Sequence, residues 1–131
     1  MIDFAPFTSE AEHRAYCDAA KVPFEEGSVG FKIFDEDGPC GLVGIKFVGN
    51  AAYLLQVRAI ERKISSQVLA NALRLVLEFL RRADVQSVVY PITAPDDVGI
   101  AESAGFDRLS DTLYAFDFPA SDEEDADPAR G

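Results

Sequence analysis

The spacing of apolar and polar positions changes several times along the chain, and each change predicts a new element. Strand-like alternation over residues 29–34 and 40–48 predicts two strands joined by a polar turn. Gly49-Asn50 then forms a tight turn into a third predicted strand over residues 51–58. Three strands joined by such short turns predict an antiparallel meander.

The period becomes helical between residues 65 and 83, where apolar side chains recur at spacings of three and four. These positions are Val68, Leu69, Ala72, Leu73, Leu75, Val76, Phe79 and Leu80. The wide apolar face predicts a long helix packed against a sheet, with Ser65 or Ser66 as its N-cap. An earlier helix, ending near Ala20, is predicted from the capping box that Ser9 and Glu12 form.

Shorter segments complete the order. We predict strands over residues 1–4, 85–92, 106–109 and 113–118, and a short helix over 96–104 that ends at Gly105. The order β-α-β-β-β-α-β-α-β-β predicts an α/β domain with a mixed sheet. Seven phenylalanines fall at core-like positions within it: Phe31, Phe34, Phe47, Phe79, Phe106, Phe116 and Phe118.

Composition limits the chain to one domain. It has 131 residues, of which 48% are hydrophobic, which is enough for one core. The core domain is predicted over residues 1–118. Residues 119–131 are acidic and, apart from two prolines, have no apolar side chain larger than alanine, so they are predicted to form a disordered tail.

The net charge and the targeting pattern limit the binding partners and the location that the sequence predicts. A net charge of −11 opposes binding to nucleic acid and to anionic membranes. There is no apolar run long enough to span a bilayer and no secretory signal pattern, so we predict a cytoplasmic protein. Cys17 and Cys40 are predicted to be buried thiols and not metal ligands. His13, beside Arg14, is predicted to lie on the surface of the first helix.

Half of the basic residues lie in one segment of this acidic chain. They are Arg58, Arg62, Lys63, Arg74, Arg81 and Arg82. Three of them, Arg58, Arg62 and Lys63, precede the long helix and favour phosphate binding there, but a solvated loop explains them too. Ser65 and Ser66 likewise suit either an anion or simple capping.

The element order and two local motifs carry a resemblance to a known family. Residues 35–44 form a polar turn leading into a Gly-rich strand, and residues 101–106 form a helix end in Gly-Phe. The chain thus resembles the GCN5-related N-acetyltransferase (GNAT) superfamily over residues 1–118. The resemblance implies an acyl-coenzyme A N-acyltransferase-like fold, with a cleft between the fourth and fifth strands.

The family binds acetyl-coenzyme A or another acyl-coenzyme A in that cleft, with the pyrophosphate at the start of the long helix. The resemblance therefore implies that the cofactor-binding residues here are Arg62, Lys63, Ile64, Ser65, Ser66 and Gln67. Ser65 and Gln67 occupy the positions at which the family has small residues, mostly glycine, so the loop departs from the pattern.

The family's reaction residues are less well matched. Its late-helix tyrosine, and the asparagine seven residues earlier, correspond to Ala101 and Ala94. Glu61 is the candidate general base, although a surface charge explains it too. The phenols of Tyr90 and Tyr114 are candidates near the cleft, with core packing as the alternative.

Two functions remain open at this stage. One is an N-acyltransferase acting on a small amine or a protein amine. The other is a catalytically degenerate GNAT-fold module that works by binding within a homo-oligomer or a larger protein assembly. Such domains occur among bacteriophage proteins.

Overall fold

The computed structural model describes residues 2–60 and 63–118. The predicted tail, Glu61 and Arg62 lie outside the described residues. The elements are β1 (Asp3–Pro6), α1 (Glu10–Ala20), β2 (Val29–Asp35), β3 (Gly38–Val48), β4 (Ala51–Ala59), α2 (Ser66–Arg82), β5 (Ser87–Pro91), α3 (Pro95–Ser103), β6 (Asp107–Ser110) and β7 (Leu113–Asp117). The predicted order of elements is confirmed.

The seven strands form one mixed sheet in the order β1-β2-β3-β4-β5-β7-β6. Only β4 and β5 run parallel, because the chain between them crosses over through α2. All other neighbours are antiparallel.

Helices cover both faces of the sheet. Alternate residues of β3 point to opposite faces, so Leu42 joins Cys17 of α1 in one apolar cluster while Val43 joins the α2 side. The larger core lies on the α2 and α3 side. The residues that α2 buries there are Leu69, Ala70, Ala72, Leu73, Val76, Leu77 and Leu80.

Several boundaries and positions differ from the predictions. The first strand begins at Asp3 and not at Met1, and β5 begins at Ser87 and not at Val85. Val85 is buried, and its backbone N–H donates to Leu80 at the end of α2 (3.1 Å), so it belongs to the turn before the strand.

Three side chains lie where the sequence did not place them. His13 is buried, with only 4% of its surface exposed, because the α1 face that carries it packs on the sheet. Phe47 and Phe79 are 48% and 46% exposed. Phe79 packs edge-on against Phe4 and Phe31 but is not enclosed by them. The prediction of buried thiols is confirmed, since Cys17 and Cys40 are both buried. Among the described residues, no helix is long and apolar enough to cross a membrane.

Candidate functional site

Strands β4 and β5 diverge after a short paired stretch. Their pairing runs only from Ala51–Ser87 to Tyr53–Val89, whereas β4 continues to Ala59. The register of β3 against β4 skips Leu55, which marks a β-bulge just beyond the last pair with β5. A bulge bends and twists its strand. The second half of β4 is therefore hydrogen-bonded to β3 alone and borders a space that we call the β4–β5 gap.

The N-terminus of α2 follows β4 closely along the chain. The Ser65 hydroxyl accepts from the backbone N–H of Val68 (3.2 Å), and its carbonyl accepts from Leu69 (3.1 Å), so Ser65, one of the two predicted candidates, is the N-cap. Helix α2 has 17 residues, and the positive end of its dipole points out of this first turn. The first-turn N–H groups and the positive end of the dipole together suit this helix N-terminus to binding an anion.

The predicted cofactor residues that the structure describes gather at this turn. Lys63 and Gln67 are exposed, and Ile64 and Ser66 are half-buried. The Gln67 amide donates to Asn71 one turn further along (3.1 Å), away from the cap. In α3, Gly99 lies against this turn, because a Cβ built on it would be 3.9 Å from the Ser66 Cβ. Two helices therefore border the predicted phosphate position.

An ion pair spans the β4–β5 gap. Arg58, near the end of β4, donates from one terminal nitrogen to Asp97 Oδ1 (2.7 Å) and from the other to Asp97 Oδ2 (3.3 Å). The same guanidinium also donates to the Val57 carbonyl (3.0 Å) and to Thr93 Oγ1 (2.9 Å). Its four terminal N–H groups therefore already have protein partners.

Asp97 is the centre of this cluster. Its side chain is 1% exposed and accepts from the Tyr90 hydroxyl (2.7 Å). The backbone N–H groups of Thr93 and Ala94 also donate to it, each at 2.9 Å. Asp97 thus caps α3 and pairs with Arg58 at the same time. In the sequence, its place in the first turn of a helix indicates only a helix-end role, and nothing there indicates the pairing with a residue 39 positions earlier.

The surroundings set the ionisation of the cluster. Burial acts to raise the pKa of Asp97, but hydrogen bonds from Arg58, Thr93 and Tyr90 outweigh it and hold the pKa below its ordinary value. Burial, and then the Asp97 charge, raise the pKa of Tyr90 far above its usual range. At neutral pH the cluster is a carboxylate, a guanidinium and a neutral phenol.

This ionisation predicts a pH dependence of stability. Because the folded pKa of Asp97 lies below the ordinary value of 3.8, its contribution is complete above that value and is lost as the pH falls further. We expect Asp97→Asn to flatten the acid limb of a plot of unfolding free energy against pH, measured by urea titration between pH 2 and 7, a range set about the ordinary aspartate pKa. Glu12, whose pKa is lowered to about 2 mainly by Lys32, contributes to the same acid limb in the wild type and in the variant. An acid limb of equal steepness in the wild type and in Asp97→Asn would contradict the lowered pKa assigned to Asp97.

The two tyrosine candidates lie opposite each other on β5 and β7, but their hydroxyl groups have different partners. Tyr90 borders the gap but is committed to Asp97. Tyr114 is buried on β7, and its hydroxyl donates to Glu102 Oε2 of α3 (3.1 Å). The structure therefore brings Arg58, Tyr90 and Asp97 together, whereas the hydroxyl of Tyr114 is bonded to Glu102 and not to this cluster. Catalytic roles for Glu61 and Tyr114 remain predictions.

Comparison with solved structures gives matches along most of the chain. The ribosomal-protein-S18-alanine N-acetyltransferase of Escherichia coli has a TM-score of 0.69 at 12% identity, over 89% of this chain and 94% of that one. An acetyltransferase of the GNAT family from Staphylococcus aureus gives 0.64 at 8% identity, over 91% and 100%. The PaiA N-acetyltransferase of Thermoplasma acidophilum, solved in complex with coenzyme A, gives 0.57 at 12% identity, over 83% and 70%. By sequence, no family model and no curated protein matches the chain.

Proposed function

The chain has the fold of the GNAT superfamily, and from that premise we propose that it is an acyl-coenzyme A-dependent N-acyltransferase. The observation that carries the proposal is the β4–β5 gap, which opens at the Leu55 bulge beside a strand edge that β5 does not pair. The capped N-terminus of α2 follows that strand in the chain. A strand edge and a helix N-terminus suit a ligand with an amide-containing arm and a phosphate end.

The residues present fit such a cofactor at its phosphate end. Lys63 and the first-turn backbone N–H groups of α2 would hold the pyrophosphate, together with Arg62, which lies outside the described residues. The side chains of Ser65 and Gln67 keep the backbone further from the phosphates than glycine would, so we expect moderate affinity. The bound cofactor would supply an activated acyl thioester.

The protein's own contribution is then mainly positioning. Transfer requires an unprotonated amine held against the thioester carbonyl. In the described part of the gap, Asp97 is ion-paired and Gln56 carries an amide, which is not basic, so neither offers a free base. Glu61 remains the candidate base. The acidic protein favours a cationic amine, small or on a protein, as the acceptor.

A second function rests on a different observation. The Arg58 guanidinium crosses the gap with all its terminal donors used, so it offers little hydrogen-bonding capacity to a ligand. Ala94 and Ala101 also stand where family members carry reaction residues. The alternative proposal is a degenerate module that binds a protein partner or a second copy of itself.

The deciding measurement is calorimetric titration of the purified protein with acetyl-coenzyme A at low salt. We expect a Kd in the micromolar range. Arg62→Ala with Lys63→Ala should weaken binding by more than about tenfold, because charged hydrogen bonds to phosphate are lost. Lys46→Ala is the matched control, since Lys46 pairs with Glu25 at the opposite end of the sheet, and it should leave Kd unchanged.

Absence of heat and of a thermal shift at millimolar acetyl-coenzyme A would reject the transferase proposal and favour the binding module. Binding that the double substitution leaves unchanged would keep the cofactor but move its phosphates away from α2. A positive titration would be followed by an assay of thiol release with a panel of amines.

A further inference from the structure

A second concave site lies at the opposite end of the molecule. It has a volume of about 550 Å³ and is bounded by the end of β1, the start of α1, the start of β2 and the last part of α2. We call it the β1–α1 groove. Its aromatic lining residues are Phe7, Phe24, Phe31, Phe47 and Phe79, with His13 among them.

The walls of the groove expose apolar surface that the fold leaves uncovered. Phe47 and Phe79, from β3 and α2, are the two half-exposed phenylalanines described above, and Val29 at the start of β2 is exposed as well. Covering apolar side chains removes them from water and is favourable. Aromatic rings also offer both faces and edges to a planar ligand.

His13 adds a polar group with no partner in the described part of the chain. Its ring stacks on Phe7 (centroids 4.6 Å apart, planes 13° apart) and meets Phe24 edge-on (5.0 Å). Although His13 is buried, neither of its ring nitrogens forms a hydrogen bond with any of the described residues. Buried polar groups are nearly always hydrogen-bonded, and leaving one unpaired is costly.

The imidazole is neutral at physiological pH. Burial lowers the pKa of His13, against a smaller opposing effect from the Glu10 charge. A neutral imidazole presents one N–H donor and one bare nitrogen acceptor. It can therefore complement an uncharged hydroxyl or N–H group.

The lining also disfavours ionic ligands. Among the lining residues, Glu10 is the only one with a fully charged side chain, and it already pairs with Arg14 (2.8 Å). The volume lies in the range of small-molecule sites. We propose that the β1–α1 groove binds a small, uncharged aromatic compound whose single hydroxyl or N–H group hydrogen-bonds to His13.

This site is separate from the β4–β5 gap. Phe79 lies 13 residues along α2 from Ser66, which corresponds to roughly 20 Å at the helical rise. The inference therefore does not rest on the proposed transferase activity, and acetyl-coenzyme A binding can fail without affecting it.

The first test compares phenol with toluene, which matches it in shape but lacks the hydroxyl. Titration of the isotope-labelled protein by NMR should shift the backbone signals of Ser28, Val29 and Gly30. His13→Phe keeps a stacked ring but removes both nitrogens. In this variant the ratio of the phenol Kd to the toluene Kd should rise by about tenfold, because only phenol loses a hydrogen bond. An unchanged ratio overturns the role of His13, and no shift at these signals with millimolar probe overturns the site.

The second test uses a pair of adjacent exposed residues. Phe47→Ala removes part of the groove wall and should weaken binding of both probes severalfold. Val48→Ala removes a comparably exposed apolar side chain that points to the other face of β3, outside the lining, and should change neither constant. These variants alter exposed positions, so they keep the test valid if His13→Phe fails to fold. Equal effects of the two would overturn the proposal.

Discussion

Replacing Asp97 with alanine is expected to lower the free energy of unfolding by about 3–5 kcal/mol. The substitution leaves the half-buried Arg58 guanidinium without its counterion and the buried Tyr90 hydroxyl without its acceptor. It also removes the cap from the backbone N–H groups of Thr93 and Ala94 at the start of α3. Urea denaturation followed by circular dichroism measures the loss.

The matched control is the neighbouring carboxylate. Asp96 is exposed in the same first turn of α3, so Asp96→Ala should change stability by less than about 1 kcal/mol, the usual size of a helix-end charge effect. If both substitutions destabilise equally, the effect of Asp97 comes from the helix dipole alone and the Arg58 pair contributes nothing. A small loss for Asp97→Ala would lead to the same conclusion.

Replacing Leu73 with alanine is expected to cost about 2–5 kcal/mol, because Leu73 is fully buried between α2 and the sheet. The cost combines the lost burial of the removed methyl groups with the cavity that remains. Leu75, two residues further along the same helix, is 39% exposed and serves as the control. Leu75→Ala should cost less than about 1 kcal/mol, since it opens no enclosed cavity.

Both leucines belong to the apolar pattern that predicted α2, so this comparison tests the packing of the helix and not its helix propensity. Chemical denaturation at a common pH gives the two values. A loss for Leu75→Ala as large as that for Leu73→Ala would mean that the outer side of α2 is also covered, for example by a second copy of the chain.

The fold was largely predictable because its signals are local. The period of two over residues 29–58 and the period of three to four over 65–83 each depend on residues close together in the chain. The N-cap of α2 was predictable to within Ser65 or Ser66 for the same reason, since a cap hydroxyl bonds three residues ahead. The observed starts of β1 and β5 lie two residues after the predicted ones. Where strand pairing begins there depends on the course of the backbone and not on the pattern of side chains.

Which side chains meet in the candidate site was not predictable, because it depends on contacts between residues that are far apart in the sequence. No periodicity links Arg58 to Asp97, and the Leu55 bulge that opens the gap exists only as a mismatch between β3 and β4. The groove was missed for a related reason. His13 lies one helical turn before Cys17 on the buried face of α1, a signal that the sequence contained, but its neighbour Arg14 suggested a surface position.

The sequence by itself therefore determined the order of elements, the GNAT-like layout and the anion-suited start of α2, because each follows from short-range spacing and capping. Only the tertiary structure decided which polar groups meet and which apolar side chains stay uncovered. Phe47 and Phe79 satisfy the pattern of core residues, yet each is about half exposed, whereas Leu80, the next residue of α2, is fully buried. Periodicity fixes the direction in which a side chain points, but packing determines what, if anything, covers it.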